Sequence, residues 1–105
     1  MKKIEAIIQN QKFPALERAL RNAGVPGMTV SDIRGFGNEQ TRPEPYLFLP
    51  KTKVEIFCND EDLDRFLDVI FDICQSTHLG SGKVAIIDVA EVIRIRTKER
   101  GHVAV

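Results

Sequence analysis

The stretch that decides the fold is VEIFCNDEDLDRFLDVIFDIC, residues 54–74, in which the spacing of apolar residues changes from two to nearly four. Val54, Ile56 and Cys58 alternate with other side chains, which predicts a strand with one buried face. Asn59 and the acidic residues 60–62 follow, and such residues cap and stabilise the N-terminus of a helix. One apolar stripe then predicts a helix that ends near residues 76–77: Leu63, Phe66, Leu67, Ile70, Phe71 and Cys74.

A strand and a helix are also predicted before this stretch. Residues 3–9 place Ile4, Ala6 and Ile8 on one face of a strand. Pro14 suits the first turn of the helix that follows, because its missing N–H costs nothing there. The apolar positions of that helix and the glycine that closes it are Leu16, Ala19, Leu20, Ala23 and Gly24.

Three further extended segments complete the order β-α-β-β-α-β with a short C-terminal extension. Residues 28–34 form one strand, with Val30 and Ile33 as expected core contacts, residues 83–89 form another, and 92–96 is a last extended piece. This order predicts a ferredoxin-like α+β sandwich. Helices cover only one face of such a sheet, so apolar side chains such as Ile7 on the opposite face predict contact with partner subunits.

Composition narrows the class of protein. The chain has 105 residues and 43% apolar content, which suits one domain with one core. Fifteen basic and fifteen acidic side chains cancel, so no net field attracts nucleic acid. No apolar run approaches the ~20 residues of a membrane span, and a cytoplasmic protein is expected. Two cysteines, Cys58 and Cys74, are too few for a disulfide framework and are expected to be reduced core thiols.

The residues most suited to binding are a glycine loop, Gly80-Ser81-Gly82-Lys83, and two arginines. Backbone N–H groups of such a loop can converge on an anion where no Cβ intervenes. On a strand, Arg94 and Arg96 share a face ~6.7 Å apart and can both reach one polyphosphate. A plain hairpin turn beside solvated arginines explains the same residues, and on spacing alone it is favoured.

A second glycine motif is Arg34-Gly35-Phe36-Gly37, at the end of a predicted strand. Its glycines permit close approach of the backbone to a ligand, although a simple bend uses them too. His78 and His102 are far apart in sequence, and helix capping explains the carboxylates of residues 60–62. Neither a metal site nor catalysis is indicated.

Taken in order, these motifs resemble the PII signal-transduction family over nearly the whole chain. The segments that carry the resemblance are MKKIEAII (1–8), GMTV (27–30), RGFG (34–37), FLPK (48–51), GSGK (80–83) and EVIRIRT (91–97). Several motifs in the right order are far more specific than any one of them. They reverse the preference for a plain hairpin turn.

The resemblance implies a homotrimer that binds ATP, ADP or AMP in clefts between subunits and is not an enzyme. Family members regulate a target, either a transporter at the membrane or an enzyme, through a flexible T-loop. The expected single domain spans 1–105, with a short T-loop at about 38–47, a nucleotide loop at about 77–83 and a C-terminal tail at about 97–105.

The family's nucleotide-binding residues carry over by position. Gly80, Gly82 and Lys83 would hold phosphates, and Arg94 and Arg96 would reach in from the neighbouring subunit. The adenine and ribose side would be formed by Thr29, Gly35, Phe36 and Gly37, with Ile7 and Glu55 beside them.

Departures from the family pattern lie in the loops. The T-loop is shorter than usual by roughly seven residues, which changes its reach more than its stability. Asn38 and Glu39 stand where the family has Arg and Gln, so ordinary 2-oxoglutarate sensing is not expected, whereas Lys51 matches the family lysine that assists there. These three residues form the candidate second-ligand site.

Three substitutions bear on modification and on the nucleotide loop. Tyr46 does not fall at the family's uridylylated position, so uridylylation is not expected. Ser81 replaces an Asp and His78 a usual Lys, and neither change abolishes the anion site.

The expected function is a divergent PII-like sensor of adenine nucleotides, with Mg²⁺ or bicarbonate as further small-molecule ligands and a carbon-linked role. Three alternatives stay open: a nitrogen sensor that responds to ATP and 2-oxoglutarate, a metal-linked PII-like protein and a structural trimer without ligands. The metal-linked alternative needs His78, His102, Cys58 or Glu39 to cluster in space.

Overall fold

The structure is a computed structural model that describes residues 1–37, 48–77 and 80–105 of the chain. Within those ranges it has four strands and two helices in the predicted order. They are β1 (Lys2–Ile8), α1 (Phe13–Asn22), β2 (Thr29–Gly35), β3 (Leu49–Cys58), α2 (Leu63–Cys74) and β4 (Gly82–Asp88). The predicted ferredoxin-like α+β fold is confirmed.

The strands form one antiparallel sheet in the order β2-β3-β1-β4. Ile4 pairs with Ile56 on one side and with Ile86 on the other. Residues that pair directly across strands share a face of the sheet, and every second residue turns to the opposite face. The register therefore sorts the side chains into a helix-covered face and an open face.

The core lies between the covered face of the sheet and the two helices. Its buried residues are Ile4, Ala6, Ile8, Leu16, Leu20, Val54, Ile56, Cys58, Phe66, Ile70 and Cys74. All of them belong to the strand alternation or the helix stripes that the sequence predicted. Burying each large aliphatic or aromatic side chain contributes ~1.5–3 kcal/mol to folding.

Three large apolar residues predicted to lie in the core are neither buried nor packed against it. Val30 is 41% exposed because β2 is an edge strand, beyond the cover of the helices. Ile33, three residues further on, falls on the opposite face, where it pairs with Lys51. Phe71 is 50% exposed at the margin of the α2 stripe.

The start of α2 also differs from the prediction. Asp60–Asp62 form a short 3₁₀ turn before the helix, and neither Asn59 nor Asp62 makes a side-chain cap within the described residues. Asn59 Oδ1 instead lies 2.7 Å from Nδ1 of His102, and Asp62 pairs with Arg65 at 3.0 Å. The acidic run still suits the positive end of the helix dipole.

Residues 92–100 form a hairpin, not the extended strand that was predicted. Ile93 and Arg100 form an isolated antiparallel bridge, and the Lys98 N–H donates to the Arg94 carbonyl at 2.7 Å. Lys98 has a φ of 62°, a left-handed conformation that is uncommon outside glycine. Arg96 therefore lies in a turn, and the common strand face predicted for Arg94 and Arg96 is wrong.

Within the described part of the chain, no helix has the length and apolar character needed to cross a membrane.

Candidate functional site

A groove of about 330 Å³ lies at one end of the sheet. Its described wall consists of Ile7, Ile33, Arg34, Gly35, Phe36, Gly37, Lys51 and Lys83. Three of these residues are cationic and none is acidic. Electrostatics therefore favours an anion in this groove.

Strand register brings the groove together. Ile7 pairs with Lys83 across β1 and β4, and Ile33 pairs with Lys51 across β2 and β3. Ile7 and Lys51 lie on the open face because they alternate with the buried positions of β1 and β3, and Lys83 and Ile33 share that face because they pair directly with them. The chain continues past the end of β2 at Gly35, and residues 34–37 all line the groove.

The glycine loop has its conformation for backbone reasons. Gly80 and Gly82 have φ values of 87° and 115°, which side-chain-bearing residues rarely adopt. A Cβ on Gly82 would lie 1.9 Å from the carbonyl oxygen of Ile7, so only glycine lets β4 start this close to β1. The fold itself requires Gly82, and the anion-binding role of the loop stays a prediction.

Lys51 contacts the glycine loop as well as lining the groove. Its Nζ donates to the Gly80 carbonyl at 2.9 Å. Ser81 turns the other way, and its Oγ lies 3.5 Å from the carbonyl of Ser76. The lysine predicted to serve a second ligand therefore also holds the loop predicted to serve phosphates.

Two aromatic rings bracket the predicted T-loop. The rings of Phe36 and Phe48 pack edge to face, with centroids 5.5 Å apart and an interplanar angle of 61°. Both are exposed, and Phe36 also lines the groove. Asn38 and Glu39, the other two candidate second-ligand residues, lie outside the described residues, as do Tyr46 and His78.

Thr29 and Glu55 lie in a second groove at the opposite end of β2 and β3. The two residues pair directly across the strands. The groove has a volume of about 230 Å³ and is lined by Pro26, Gly27, Met28, Thr29, Glu55, Phe57, Val92, Ala104 and Val105. Six residue steps of β2, or ~20 Å, separate Thr29 from Gly35. One chain therefore does not bring Thr29 and Glu55 to the glycine loop.

Glu55 belongs to a row of paired charges on the open face. Lys3 Nζ lies 2.5 Å from Glu55 Oε2, and Lys53 Nζ lies 3.5 Å from Glu5 Oε1 and 4.0 Å from Glu55 Oε1. The hydrogen bond from Lys3, together with the charges of Lys3 and Lys53, holds the pKa of Glu55 below its usual value. The same hydrogen bond raises the pKa of Lys3. Glu55 is thus an ionised acceptor at neutral pH.

The two arginines have different surroundings. Arg94 Nη1 lies 2.9 Å from Glu99 Oε1, and Nη2 donates to the Val103 carbonyl at 2.7 Å. Arg96 is exposed in the turn of the hairpin. Neither arginine lines either of the two grooves.

Cys58 and Cys74 are buried free thiols, as predicted for core residues. Burial raises the pKa of both thiols, which disfavours the reactive thiolate. Among the described residues, no three His, Cys, Asp or Glu side chains lie close enough to hold a metal ion. His78 and Glu39, which the metal-linked alternative invokes, fall outside those residues.

Comparison with known proteins identifies the family. The family model described as "Nitrogen regulatory protein P-II" matches residues 1–99. The chain belongs to the P-II family. Members of this family are signal-transduction regulators rather than enzymes, and nucleotide binding is typical of them.

Several P-II proteins are similar to this chain over its whole length. They include "Nitrogen regulatory protein P-II" from Pasteurella multocida (strain Pm70) and from Klebsiella oxytoca, and "Nitrogen regulatory protein P-II 1" from Escherichia coli (strain K12). Each is 41% identical over 112 aligned positions, which cover 100% of both chains. The resemblance drawn from the sequence motifs is confirmed.

The aligned length bears on the loop. The alignments span 112 positions, whereas this P-II chain has 105 residues, so at least seven aligned positions have no residue here. This number equals the predicted shortening of the T-loop, which stays a prediction because residues 38–47 lie outside the described ranges.

Proposed function

We propose that this P-II protein is a homotrimer that binds AMP, ADP or ATP in clefts between its subunits and regulates a target transporter or enzyme in the cytoplasm. The observation that carries the proposal is the cationic, glycine-bordered groove at one end of the open sheet face. In this proposal residues 38–47 form the T-loop, 77–83 the nucleotide loop and 97–105 the tail.

The separation of the two grooves supports a site built from two copies. About 20 Å of strand lies between Thr29 and Gly35 within one chain. If the glycine-loop groove of one subunit faces the Thr29 groove of the next, both sets of residues surround one ligand. The intersubunit cleft would thereby bring Thr29 of one subunit close to the glycine loop of the next, although the two lie far apart within a single chain.

The open face of the sheet supports association. Phe57, on the central strand β3, is 46% exposed on this face, and Ile87, on the edge strand β4, is 41% exposed there. The charges between them are already paired within the chain, as in the contact of Lys3 with Glu55. Apolar side chains and neutralised charges lower the cost of covering this face with another subunit.

The proposed roles follow the chemistry of each side chain. Lys83 provides a point charge, and the glycine loop around Ser81 provides backbone N–H groups for the phosphates. Arg94 and Arg96 would reach the phosphates from the neighbouring subunit. The base and ribose side is assigned to Ile7, Thr29, Gly35, Phe36, Gly37 and Glu55.

The second effector separates two versions of this function. Asn38 and Glu39 remove a cation and add an anion where the family holds a dianionic ligand, which disfavours a dianion more than the monoanion bicarbonate and thereby favours a carbon-linked role. The similar proteins carry the name "Nitrogen regulatory protein", and Lys51 is retained beside the groove, which favours 2-oxoglutarate. In the second version Mg²⁺ would accompany ATP.

Calorimetric titration tests the proposal. AMP, ADP and Mg-ATP are titrated alone, with bicarbonate and with 2-oxoglutarate. Saturable heat supports the nucleotide function, and the effector that tightens binding identifies the carbon-linked or the nitrogen-linked version. No heat with any nucleotide contradicts the function and favours the structural trimer.

A matched pair of variants locates the site. Lys83→Ala should weaken nucleotide binding by about 1.5–3 kcal/mol, because it removes a charge-assisted contact, and should leave the oligomeric state unchanged. Arg18→Ala removes a cation from the exposed surface of α1 and should leave the affinity unchanged. Equal affinities in the two variants would place the nucleotide elsewhere.

A further inference from the structure

The residues that follow Arg94 contact both terminal nitrogens of its guanidinium. Nη1 contacts Glu99 Oε1 at 2.9 Å, Nη2 donates to the Val103 carbonyl at 2.7 Å, and the backbone N–H donates to the Glu99 carbonyl at 3.0 Å. Both terminal nitrogens of the guanidinium therefore face acceptors of its own chain. A phosphate that binds both terminal nitrogens must therefore compete with the Glu99 carboxylate and the Val103 carbonyl.

The segment that holds Arg94 also lies against the second groove. Ala104 and Val105 line that groove together with Thr29 and Glu55. His102 lies within the 3₁₀ turn Gly101–Ala104 and anchors this turn to the rest of the fold, because its Nδ1 lies 2.7 Å from Asn59 Oδ1. One short segment thus contacts Arg94 and also forms part of the wall of the groove at Thr29.

We propose that residues 99–105 act as an autoinhibitory strap. Glu99 and the Val103 carbonyl hold Arg94, Ala104 and Val105 form part of the wall of the groove at Thr29, and a bound nucleotide displaces the segment from both places. This inference rests on the proposed function, because it requires nucleotide in the cleft. It adds a consequence for signalling, since a regulated target would meet a different surface at 99–105 in each state.

The contacts that hold Arg94 in the strap can be replaced by contacts with a polyphosphate. Val103 is 63% exposed, and the side chains of Arg94 and Glu99 are 38% and 46% exposed, so water can solvate the groups as they separate. A polyphosphate carries more charge than one carboxylate and offers oxygens to both prongs of the guanidinium. Segments with few buried apolar contacts open locally at low free-energy cost.

The hairpin provides a fixed base for the strap. The Ile93–Arg100 bridge and the hydrogen bond from the Lys98 N–H to the Arg94 carbonyl, at 2.7 Å, lie within the hairpin and are separate from the side-chain contacts of Arg94. The guanidinium can therefore change partners while the hairpin stays closed. Release is expected for residues 101–105, with 92–100 retaining its fold.

Amide hydrogen exchange across residues 99–105, measured on the full chain, tests the strap. Saturating ADP should speed exchange at residues 101–105 by at least about tenfold, because the anchored turn is released. Glu99→Gln should speed the same amides without ADP and should tighten ADP binding by about 3–10-fold. The matched control is Glu91→Gln, which removes the 3.7 Å contact with Arg100 in the same hairpin and leaves the contacts of Arg94 in place. It should change neither exchange nor affinity.

The outcomes separate the strap from the nucleotide function. If ADP gives saturable heat while exchange at 101–105 stays constant or slows, the strap is overturned and nucleotide binding stands. If ADP gives no heat, both are overturned. A Glu99→Gln variant that binds ADP more tightly without faster exchange in the free protein shows charge repulsion alone, and it also overturns the strap.

Discussion

Lys51 Nζ donates a hydrogen bond of 2.9 Å to the carbonyl oxygen of Gly80, and this contact joins the start of β3 to the glycine loop. The two residues are far apart in sequence, so the bond holds the loop relative to the sheet and not only to its own strand. A side chain that lines the cationic groove thereby also fixes the loop beside it.

Replacing Lys51 tests this contact. Lys51→Met should weaken nucleotide binding about 3–10-fold, since losing one partly buried hydrogen bond costs about 0.5–1.5 kcal/mol. Amide exchange at 80–82 should rise in the same variant in the absence of any ligand, which loss of a ligand contact alone would not cause. Lys51→Arg, which keeps a donor, should restore part of the protection. Unchanged exchange in Lys51→Met would show that the bond does not hold the loop.

Gly82→Ala should destabilise the fold strongly. The new Cβ would lie 1.9 Å from the Ile7 carbonyl, and a φ of 115° is strained for alanine, so a loss of at least ~2 kcal/mol is expected. Gly27→Ala is the control, because no described atom lies within 4 Å of its added Cβ. Denaturant unfolding at one fixed protein concentration compares the two variants. Equal stability would mean that β4 can move away from β1 at little cost.

The contact of Lys3 with Glu55 should appear as a pH dependence of stability. Glu55 has a lowered pKa in the folded protein, so its contribution is present above the usual carboxyl range and is lost as the pH falls through and below about 4.5. Lys3 has a raised pKa, so its contribution is present below about pH 10.5 and is lost above it. Lys3→Met should therefore lower the melting temperature near pH 7, and the difference from the unchanged protein should shrink at both extremes. Arg18→Met, on the exposed surface of α1, should show no such profile.

Two phenylalanines of α2 should differ in their contribution to stability. Phe66 is completely buried, and Phe66→Ala should cost about 3–5 kcal/mol because it leaves a cavity in the core. Phe71 is 50% exposed, and Phe71→Ala should cost less than about 1.5 kcal/mol. The free energy of unfolding of each variant measures the difference. Equal losses would show that the sequence-based stripe, which included both residues, describes the core better than the structure does.

The order of elements and most of the core were predictable because they depend on local periodicity. Alternation at Ile4, Ala6 and Ile8 marks a buried strand face wherever the strand lies in the sheet. Val30 and Ile33 could not be assigned in this way, because exposure at an edge depends on strand order and on how far the helices reach. Three-residue spacing within one strand was nevertheless a readable sign that these two side chains face opposite ways.

The hairpin at 92–100 was missed for a different reason. Its turn contains neither glycine nor proline, and Lys98 adopts the left-handed conformation without any local sequence signal. The contacts of Arg94 with Glu99 and Val103 depend on that turn, so they were not predictable either. The division of the site into two grooves was predictable in principle, because six residue steps separate Thr29 from Gly35 in one strand.

The edge-to-face pair of Phe36 and Phe48 allows the segment between the two rings to vary in length and composition. The sheet already pairs Gly35 with Leu49, and the two rings hold the chain together immediately beyond that pair. Closing a longer segment across the same two fixed ends costs only ~0.6 kcal/mol for each doubling of its length. The sheet can therefore accept segments of different length and composition between these rings while the scaffold stays the same.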